Sequence, residues 1–225
     1  MEIADRDQMD KAKMEDLLMD LLYEEYGDLV FHGGTCIWRC YGGNRFSKDI
    51  DFYYKAGKAD YSATYRSFID FFQRKGLVIK VSKHNNKTNT MQFIVEGASK
   101  MKVDVNLDYR SGSPAEYTRT DGSKIVVSAL LPGELLGEKM DAYDDKMRNR
   151  SDLKQPEVQD LYDIYFLTTV VKNDDPSVAA RLLALADAIE ASPPANIRSL
   201  ESLILNGKAP TLEFMLLRIR AWCGQ

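Results

Sequence analysis

The sequence is poor in the residues that most often bind transition metals or carry imidazole chemistry. It has two histidines, His32 and His84, and three cysteines among 225 residues. Structural zinc sites use four such ligands, and imidazole-based catalysis needs a suitably held histidine, so carboxylates are expected to carry any chemistry. Few cysteines and no secretion signal are typical of the reducing cytosol, where no disulfide framework is expected.

Long apolar runs are also missing. No stretch approaches the roughly 18 apolar residues of a membrane-spanning helix, and the first seven residues are too polar and acidic for a signal peptide. Hydrophobic residues make up 44% and charged residues 28%, which is typical of a globular protein and excludes a disordered or low-complexity chain. We therefore expect a cytoplasmic protein with no membrane partner.

The net charge of -4 conceals an uneven distribution. Residues 1–28 contain ten acids and three bases, whereas residues 73–103 contain seven bases and the single acid Glu96. A polyanion responds to the local field, so the overall acidity does not exclude a nucleic-acid partner at this basic stretch. Charge alone favours a simpler interpretation, namely two solvated surfaces of opposite sign.

Hydrophobic periodicity divides the chain into two halves. Between residues 29 and 127, short apolar segments separated by turn residues predict strands, while the Gly/Ser/Pro residues of 111–114 predict a loop. After Pro132 the apolar spacing is that of helices alone. The sequence therefore predicts an α+β protein, with a mixed sheet and flanking helices in residues 1–130 followed by a C-terminal helical bundle in residues 131–225.

Three acids on predicted strands are the main candidates for chemistry. Asp49 and Asp51 are two residues apart in an extended segment, so both side chains point to one side and can bind a hard divalent cation. Asp104 lies between two valines on a later strand. Three carboxylates on adjacent strands can hold two Mg²⁺ ions, which clamp a nucleoside triphosphate and activate an attacking hydroxyl.

The turn Gly33-Gly34-Thr35 lies between a predicted strand and a predicted helix. Backbone N–H groups at a helix N-terminus, together with a hydroxyl, are suited to receive phosphates. Each of these motifs is weak alone, and the order strand, Gly-Gly-Thr, helix, Asp-x-Asp strand makes the combination informative. Arg45, close to the two acids, can either contact a substrate phosphate or pair with an acid.

Several segments together resemble a known family. The chain is similar to the AbiEii/AbiGii toxin nucleotidyltransferases, within the polymerase-beta-like nucleotidyltransferase superfamily. Four motifs carry the resemblance, in the order in which the family has them: Phe31-His32-Gly33-Gly34-Thr35, Tyr41-Gly42-Gly43-Asn44-Arg45-Phe46-Ser47-Lys48-Asp49-Ile50-Asp51-Phe52, Glu138-Lys139-Met140 and Asp160-Leu161-Tyr162-Asp163-Ile164-Tyr165-Phe166-Leu167.

The resemblance implies a polymerase-beta-like fold and a role for each matching residue. Gly34 and Thr35, after Gly33, would hold the triphosphate, and Ser47 would lie over the phosphates. The other implied roles are metal binding by Asp49, Asp51 and Asp104, help from Asp104 in activating the acceptor, neutralisation of phosphate charge by Lys139, and orientation of that lysine or of the nucleotide by Asp160. Asp163 is expected to cap or pair within the helical half.

The resemblance also implies an activity. The enzyme would move a nucleoside monophosphate from an NTP to an acceptor hydroxyl, with RNA, and in particular a tRNA 3′ end, as the acceptor. It would act as the toxin of a toxin–antitoxin or abortive-infection pair, opposed by a separate antitoxin protein. Two alternatives stay open: an NTP- or RNA-binding module without transfer activity, and a transferase or kinase acting on a protein or small molecule.

Two positions depart from the family pattern. His32 stands where a lysine is often found, so a positive charge at this position depends on pH. Gln159 stands where the family usually has an arginine before Asp160. Either change could weaken nucleotide binding or alter the preferred base, and neither removes a predicted metal ligand.

Overall fold

The computed structural model describes residues 3, 5–55, 61–85, 88–148 and 157–224. The chain divides into two units. The first consists of Met1–Gly42 and Phe46–Leu130, and the second of Gly43–Arg45 and Leu131–Gln225. Among the described residues, no helix combines the length and the apolar character needed to cross a membrane.

The first unit is built on a mixed sheet of seven strands. In chain order they are β1 Leu29–His32, β2 Asp49–Tyr54, β3 Val78–Asn85, β4 Thr90–Glu96, β5 Lys100–Asn106, β6 Ser113–Thr118 and β7 Lys124–Ala129. Their spatial order is β3-β4-β5-β2-β1-β7-β6. The pairs β2/β5 and β1/β7 are parallel, and the other neighbours are antiparallel.

Buried and partly exposed side chains alternate along the strands, so one face of this sheet is apolar and the other is polar. The helices of the first unit are α1 Arg6–Glu25, α2 Gly33–Tyr41 and α3 Tyr61–Arg74. Phe93 of β4 packs against Phe68 and Phe72 of α3, with ring centroids 5.8 and 5.4 Å apart. Phe52 of β2 packs against Tyr23 of α1 at 6.0 Å. Residues of the opposite parity therefore point to the other face of the sheet.

Strand β6 begins inside the segment that the sequence predicts as a loop. The sequence predicts a loop over residues 111–114, but Ser113 and Pro114 already pair with β7. Because β6 is an edge strand, one of its sides has no hydrogen-bonding neighbour, and such strands tolerate proline. The loop prediction is thus wrong for these two residues.

The second unit is helical, as predicted. It contains α4 Pro132–Arg148, α5 Val158–Val170, α6 Pro176–Ala191, a 3-10 helix Ile197–Leu203 and α7 Leu212–Trp222. The short segment Gly43–Arg45 joins it through Asn44, whose side chain donates to the Asn206 carbonyl (2.7 Å) and accepts from the Asn206 backbone N–H (3.0 Å). Nothing in the local sequence reveals this long-range attachment.

Candidate active site

The predicted acids of the first unit come together on the polar face of the sheet. In the parallel pair β2/β5, Asp51 lies opposite Asp104 and Asp49 lies opposite Lys102. Residues opposite each other in a sheet share a face, so all four side chains point the same way. The side chains of Asp49 and Asp104 are 35% and 32% exposed. We refer to Asp49, Asp51, Lys102 and Asp104 as the acid cluster.

Lys102 lies between two of these carboxylates. Its Nζ is 2.7 Å from Asp104 Oδ2 and 3.4 Å from Asp49 Oδ2. Burial lowers the pKa of Lys102, but the neighbouring carboxylates, Asp104 above all, outweigh burial and raise it, so the ammonium stays charged. The sequence suggested only that Lys102 belongs to the basic stretch. Its i, i+2 spacing from Asp104 on an alternating strand is the signal that could have placed it here.

The pKa of the Asp51 carboxyl group is raised, and burial is the main cause. Burial raises its pKa, His32 acts in the opposite direction, and the charge of Asp104 adds to the rise. Gly33 follows β1 with a φ of +76°, and a Cβ at this position would overlap Asp51 Oδ2. Glycine is therefore required twice here, by the left-handed backbone and by the close approach of the α2 N-terminus to the carboxylate.

The remaining residues of the predicted phosphate turn are less accessible. Gly34 and Thr35 are buried in the first turn of α2. The Thr35 hydroxyl donates to the backbone carbonyl of Asp49 (2.6 Å), a contact that ties α2 to β2. Ser47 is half-buried two residues before Asp49. The contacts of these residues with a triphosphate stay predictions.

A cavity of about 250 Å³ opens beside the acid cluster. Its polar lining includes His32, Asp51, Thr90, Gln92, Asp104 and Asn106. Gln92 lies opposite Asp104 on β4, and its Nε2 donates to Asp104 Oδ1 (3.1 Å). Gln92 escaped prediction because its relation to Asp104 is a cross-strand contact between residues twelve positions apart.

The acid cluster has the donor chemistry that hard divalent cations prefer. Its three carboxylates supply oxygen ligands, and the missing side chain of Gly33 leaves room beside Asp51. Across the described part of the chain, however, no group of three or more His, Cys, Asp or Glu side chains is arranged to hold a metal ion. In this conformation Asp49 and Asp104 contact the Lys102 ammonium instead.

The second unit holds another group of charged residues, which we call the helical cluster: Arg45, Lys139, Lys146, Asp160 and Asp163. Arg45 donates to both oxygens of Asp163, from Nε to Oδ1 (2.6 Å) and from Nη2 to Oδ2 (2.5 Å). Lys139 Nζ lies 2.8 Å from Asp163 Oδ2 and 3.1 Å from Asp160 Oδ1. Lys146 Nζ donates to Asp160 Oδ2 at 2.6 Å.

Charge pairing in the helical cluster outweighs the cost of burial. Burial raises the pKa of Asp160, but Lys139 and Lys146 lower it to about 2. Burial lowers the pKa of Lys139, but Asp163 and Asp160 raise it above its usual range. Of the two possibilities for Arg45, the structure has it paired with an acid, and Asp163 pairs within the second unit as expected. The predicted role of Asp160 in orienting Lys139 requires the two side chains to be in contact, and they are.

Most of the basic stretch in residues 73–103 is ion-paired. Five of its seven bases have carboxylate partners: Arg74 with Glu25, Lys75 with Glu24, Lys80 and Lys100 with Glu96, and Lys102 within the acid cluster. Lys83 is exposed on β3, and Lys87 lies outside the described residues. The stretch therefore presents less net positive charge than its sequence suggests.

A mixed sheet that brings three acids together beside a Gly-Gly turn is the arrangement expected of a nucleotidyltransferase. The family model described as the nucleotidyl transferase AbiEii toxin of type IV toxin–antitoxin systems matches residues 16–214. The chain belongs to this family and is a nucleotidyltransferase. Both the family and the enzyme class predicted from the sequence are thus confirmed.

Solved structures support the fold. The crystal structure of a putative nucleotidyltransferase from Helicobacter pylori shares 16% identity with this chain and a TM-score of 0.63, over 95% of this chain and 93% of its own. MenT4, a nucleotidyltransferase toxin from Mycobacterium tuberculosis, shares 16% identity and a TM-score of 0.60, over 97% and 84%. The predicted α+β fold is confirmed. A search of curated protein sequences gave no match.

Proposed function

We propose that this nucleotidyltransferase moves a nucleoside monophosphate from an NTP to an acceptor hydroxyl of RNA, at a tRNA 3′ end, in a Mg²⁺-dependent reaction. The observation that carries the proposal is the convergence of Asp49, Asp51 and Asp104 on one face of the sheet, with Gly33 against Asp51. Three acidic side chains beside an open cavity give an excess of negative charge that a divalent cation with its triphosphate would neutralise.

The reaction is an in-line displacement at the α-phosphate. The acceptor oxygen forms a bond to the α-phosphorus, the bond from that phosphorus to the bridging oxygen of the β-phosphate breaks, and pyrophosphate leaves. Asp104 takes the acceptor proton, and Gln92 holds one of its oxygens in place. When bound by Asp49, Asp51 and Asp104, two Mg²⁺ ions would supply charge stabilisation at the α-phosphate.

The phosphate-binding roles rest on the motifs. The backbone N–H groups of Gly34 and Thr35, at the N-terminus of the nine-residue helix α2, favour an anion. Ser47 is proposed to contact the same phosphates. Lys139 is proposed to neutralise negative charge in the transition state, with Asp160 orienting its ammonium.

The biological role follows from the family description. A type IV toxin is expected to have a separate antitoxin protein as its counterpart. Addition of a nucleotide to the 3′ end of tRNA would block aminoacylation and so translation, which fits the action of a toxin. The tRNA acceptor is the most specific element of this proposal.

The test is a transfer assay with purified protein, Mg²⁺, total tRNA and each α-³²P-labelled NTP in turn. We expect label to enter RNA with one NTP and to be lost in Asp49→Ala. Glu116→Gln is the matched control, because Glu116 is an exposed carboxylate on edge strand β6 of the same sheet and pairs with Lys124. Demonstrable NTP binding without transfer of label to tRNA would contradict the proposal and leave two options, an acceptor other than tRNA or a module that only binds.

The ion pairing of the basic stretch favours a second candidate, transfer to a protein or small molecule. A substitution of the exposed Lys83 can distinguish an RNA acceptor from a protein or small-molecule acceptor. If RNA docks on this stretch, Lys83→Glu should weaken transfer to tRNA and reduce its salt dependence. If the acceptor is not a polyanion, the same change should leave turnover unaltered.

A further inference from the structure

The lysine within the acid cluster is not explained by the proposed reaction. The ammonium of Lys102 contacts Asp104 and Asp49, the two carboxylates that flank Asp51 on the polar face of the sheet. The ammonium contacts one oxygen, Oδ2, of each of these two carboxylates, so a divalent cation bound to the same acids would share them with a second positive charge close by. The two cations would repel each other and compete for the same negative charge.

We propose that Lys102 is an internal counter-ion that competes with the divalent cation for Asp49 and Asp104, so that metal binding requires its ammonium to move away. The inference rests on the metal site of the proposed function. It assigns Lys102 a positioning role, since the lysine acts on the reaction through the carboxylates.

The surroundings of Lys102 suit such an exchange. Its side chain is 31% exposed, so the ammonium has access to solvent when it leaves the carboxylates. Lysine is a compact point charge on a flexible four-carbon chain, whereas an arginine in a bidentate pair would be held more rigidly. The Arg45–Asp163 pair of the second unit is an example of that rigid type, and its side chains are only 5% and 1% exposed.

The charges explain what the lysine does before the metal arrives. Asp51 and Asp104 are directly opposite each other, and Asp49 is next on the same face, so three carboxylates would repel one another without a cation. Lys102 offsets this repulsion in the metal-free protein. The same ammonium disfavours the metal-bound protein, because it is a positive charge that the cation must displace.

The test is Mn²⁺ binding to the full chain without nucleotide, measured by electron paramagnetic resonance of the free ion, for the wild type and Lys102→Met. We expect Mn²⁺ to bind at least about fivefold more tightly to the variant, as removal of a neighbouring unit charge in water predicts. The metal-induced rise in Tm should also be larger, because at a given Mn²⁺ concentration a tighter site stabilises the folded protein more.

Lys80→Met is the matched control. Lys80 also pairs with a carboxylate on the polar face of the same sheet, Glu96 at 2.7 Å, but not with a predicted metal ligand. Its Mn²⁺ affinity should equal that of the wild type. Equal or weaker Mn²⁺ binding by Lys102→Met would overturn the proposal.

Asp51→Asn separates this inference from the function on which it rests. Mn²⁺ binding that Asp51→Asn abolishes, but that Lys102→Met leaves unchanged, rejects the role of Lys102 and keeps the metal site. Mn²⁺ binding that is insensitive to Asp51→Asn rejects the metal site itself, and the counter-ion role with it.

Discussion

The acid cluster and the helical cluster use the same residue types in opposite ways. The acid cluster sets three carboxylates against one ammonium, and its outer side chains are about one-third exposed. The helical cluster sets three cations against two carboxylates, and its two acids are 12% and 1% exposed. An accessible excess of one charge is suited to bind a ligand of the opposite charge. A buried group in which each acid contacts two cations is costly to break, because removal of one partner leaves a buried charge without compensation.

The largest effect is expected in the acid cluster, and it tests whether this cluster binds a ligand. Asp51→Asn should reduce nucleotide transfer by about a thousandfold, because it removes a metal ligand next to the reacting phosphate. Stability should be unchanged or slightly higher, since burial and Asp104 already disfavour the charged form of Asp51. Transfer rates and urea denaturation measure the two effects, and a variant that retains a tenth of the activity would contradict the assignment.

Asp163→Asn tests whether the stability of the protein depends on the buried ion pairs of the helical cluster. The change leaves Arg45 and Lys139 with less compensating charge in a buried place, so we expect a loss of about 3–5 kcal/mol in the free energy of unfolding. The matched control is Asp187→Asn, which breaks an ion pair between Arg220 and a carboxylate that is 65% exposed, and it should lower the stability far less because solvent screens exposed pairs. Similar losses in both variants would show that the helical cluster does not depend on burial.

Gly33→Ala asks whether the acid cluster requires the close approach of the α2 N-terminus. The added Cβ would overlap the Asp51 carboxylate in a left-handed backbone, and we expect about 2–3 kcal/mol of destabilisation. Gly122 has a similar φ of +85° but nothing within 4 Å of a Cβ. Gly122→Ala therefore measures the backbone strain alone, and the difference between the two thermal unfolding curves reports the overlap. Equal losses would exclude a tight contact at Asp51.

The smallest effect is the pH dependence contributed by Asp160. Its pKa falls from an ordinary 3.8 to about 2 in the folded protein, so the unfolded chain takes up a proton first as the pH drops. The resulting stability is present above about pH 4 and is lost as the pH falls from about 4 to 2, by up to about 2 kcal/mol. Urea denaturation of Asp160→Asn should lack this part of the acid sensitivity. The same pH dependence in the variant and the wild type would contradict the pairing.

The site residues that could be predicted are those recognisable from their spacing to near neighbours in the sequence. Asp49 and Asp51 alternate on a strand, Asp104 alternates with valines, and Gly33 precedes a helix, so the sequence alone suggested a shared face and a turn. Lys102 and Gln92 were missed as site residues because their roles depend on register across β2/β5 and β4/β5. Strand β6, Ser113–Thr118, was missed as a strand, since Pro114 is a loop signal except on an edge strand.

The sequence by itself determined the α+β organisation, the family and the order of the acidic and glycine motifs, because periodicity and short motifs depend on near neighbours in the chain. Only the tertiary structure decided which charges neutralise one another. It paired Arg45 with Asp163, 118 positions away, and placed the Lys102 ammonium between Asp49 and Asp104. Such pairings depend on strand register and helix packing. Burial then determines how strongly each charge shifts the pKa of its neighbours.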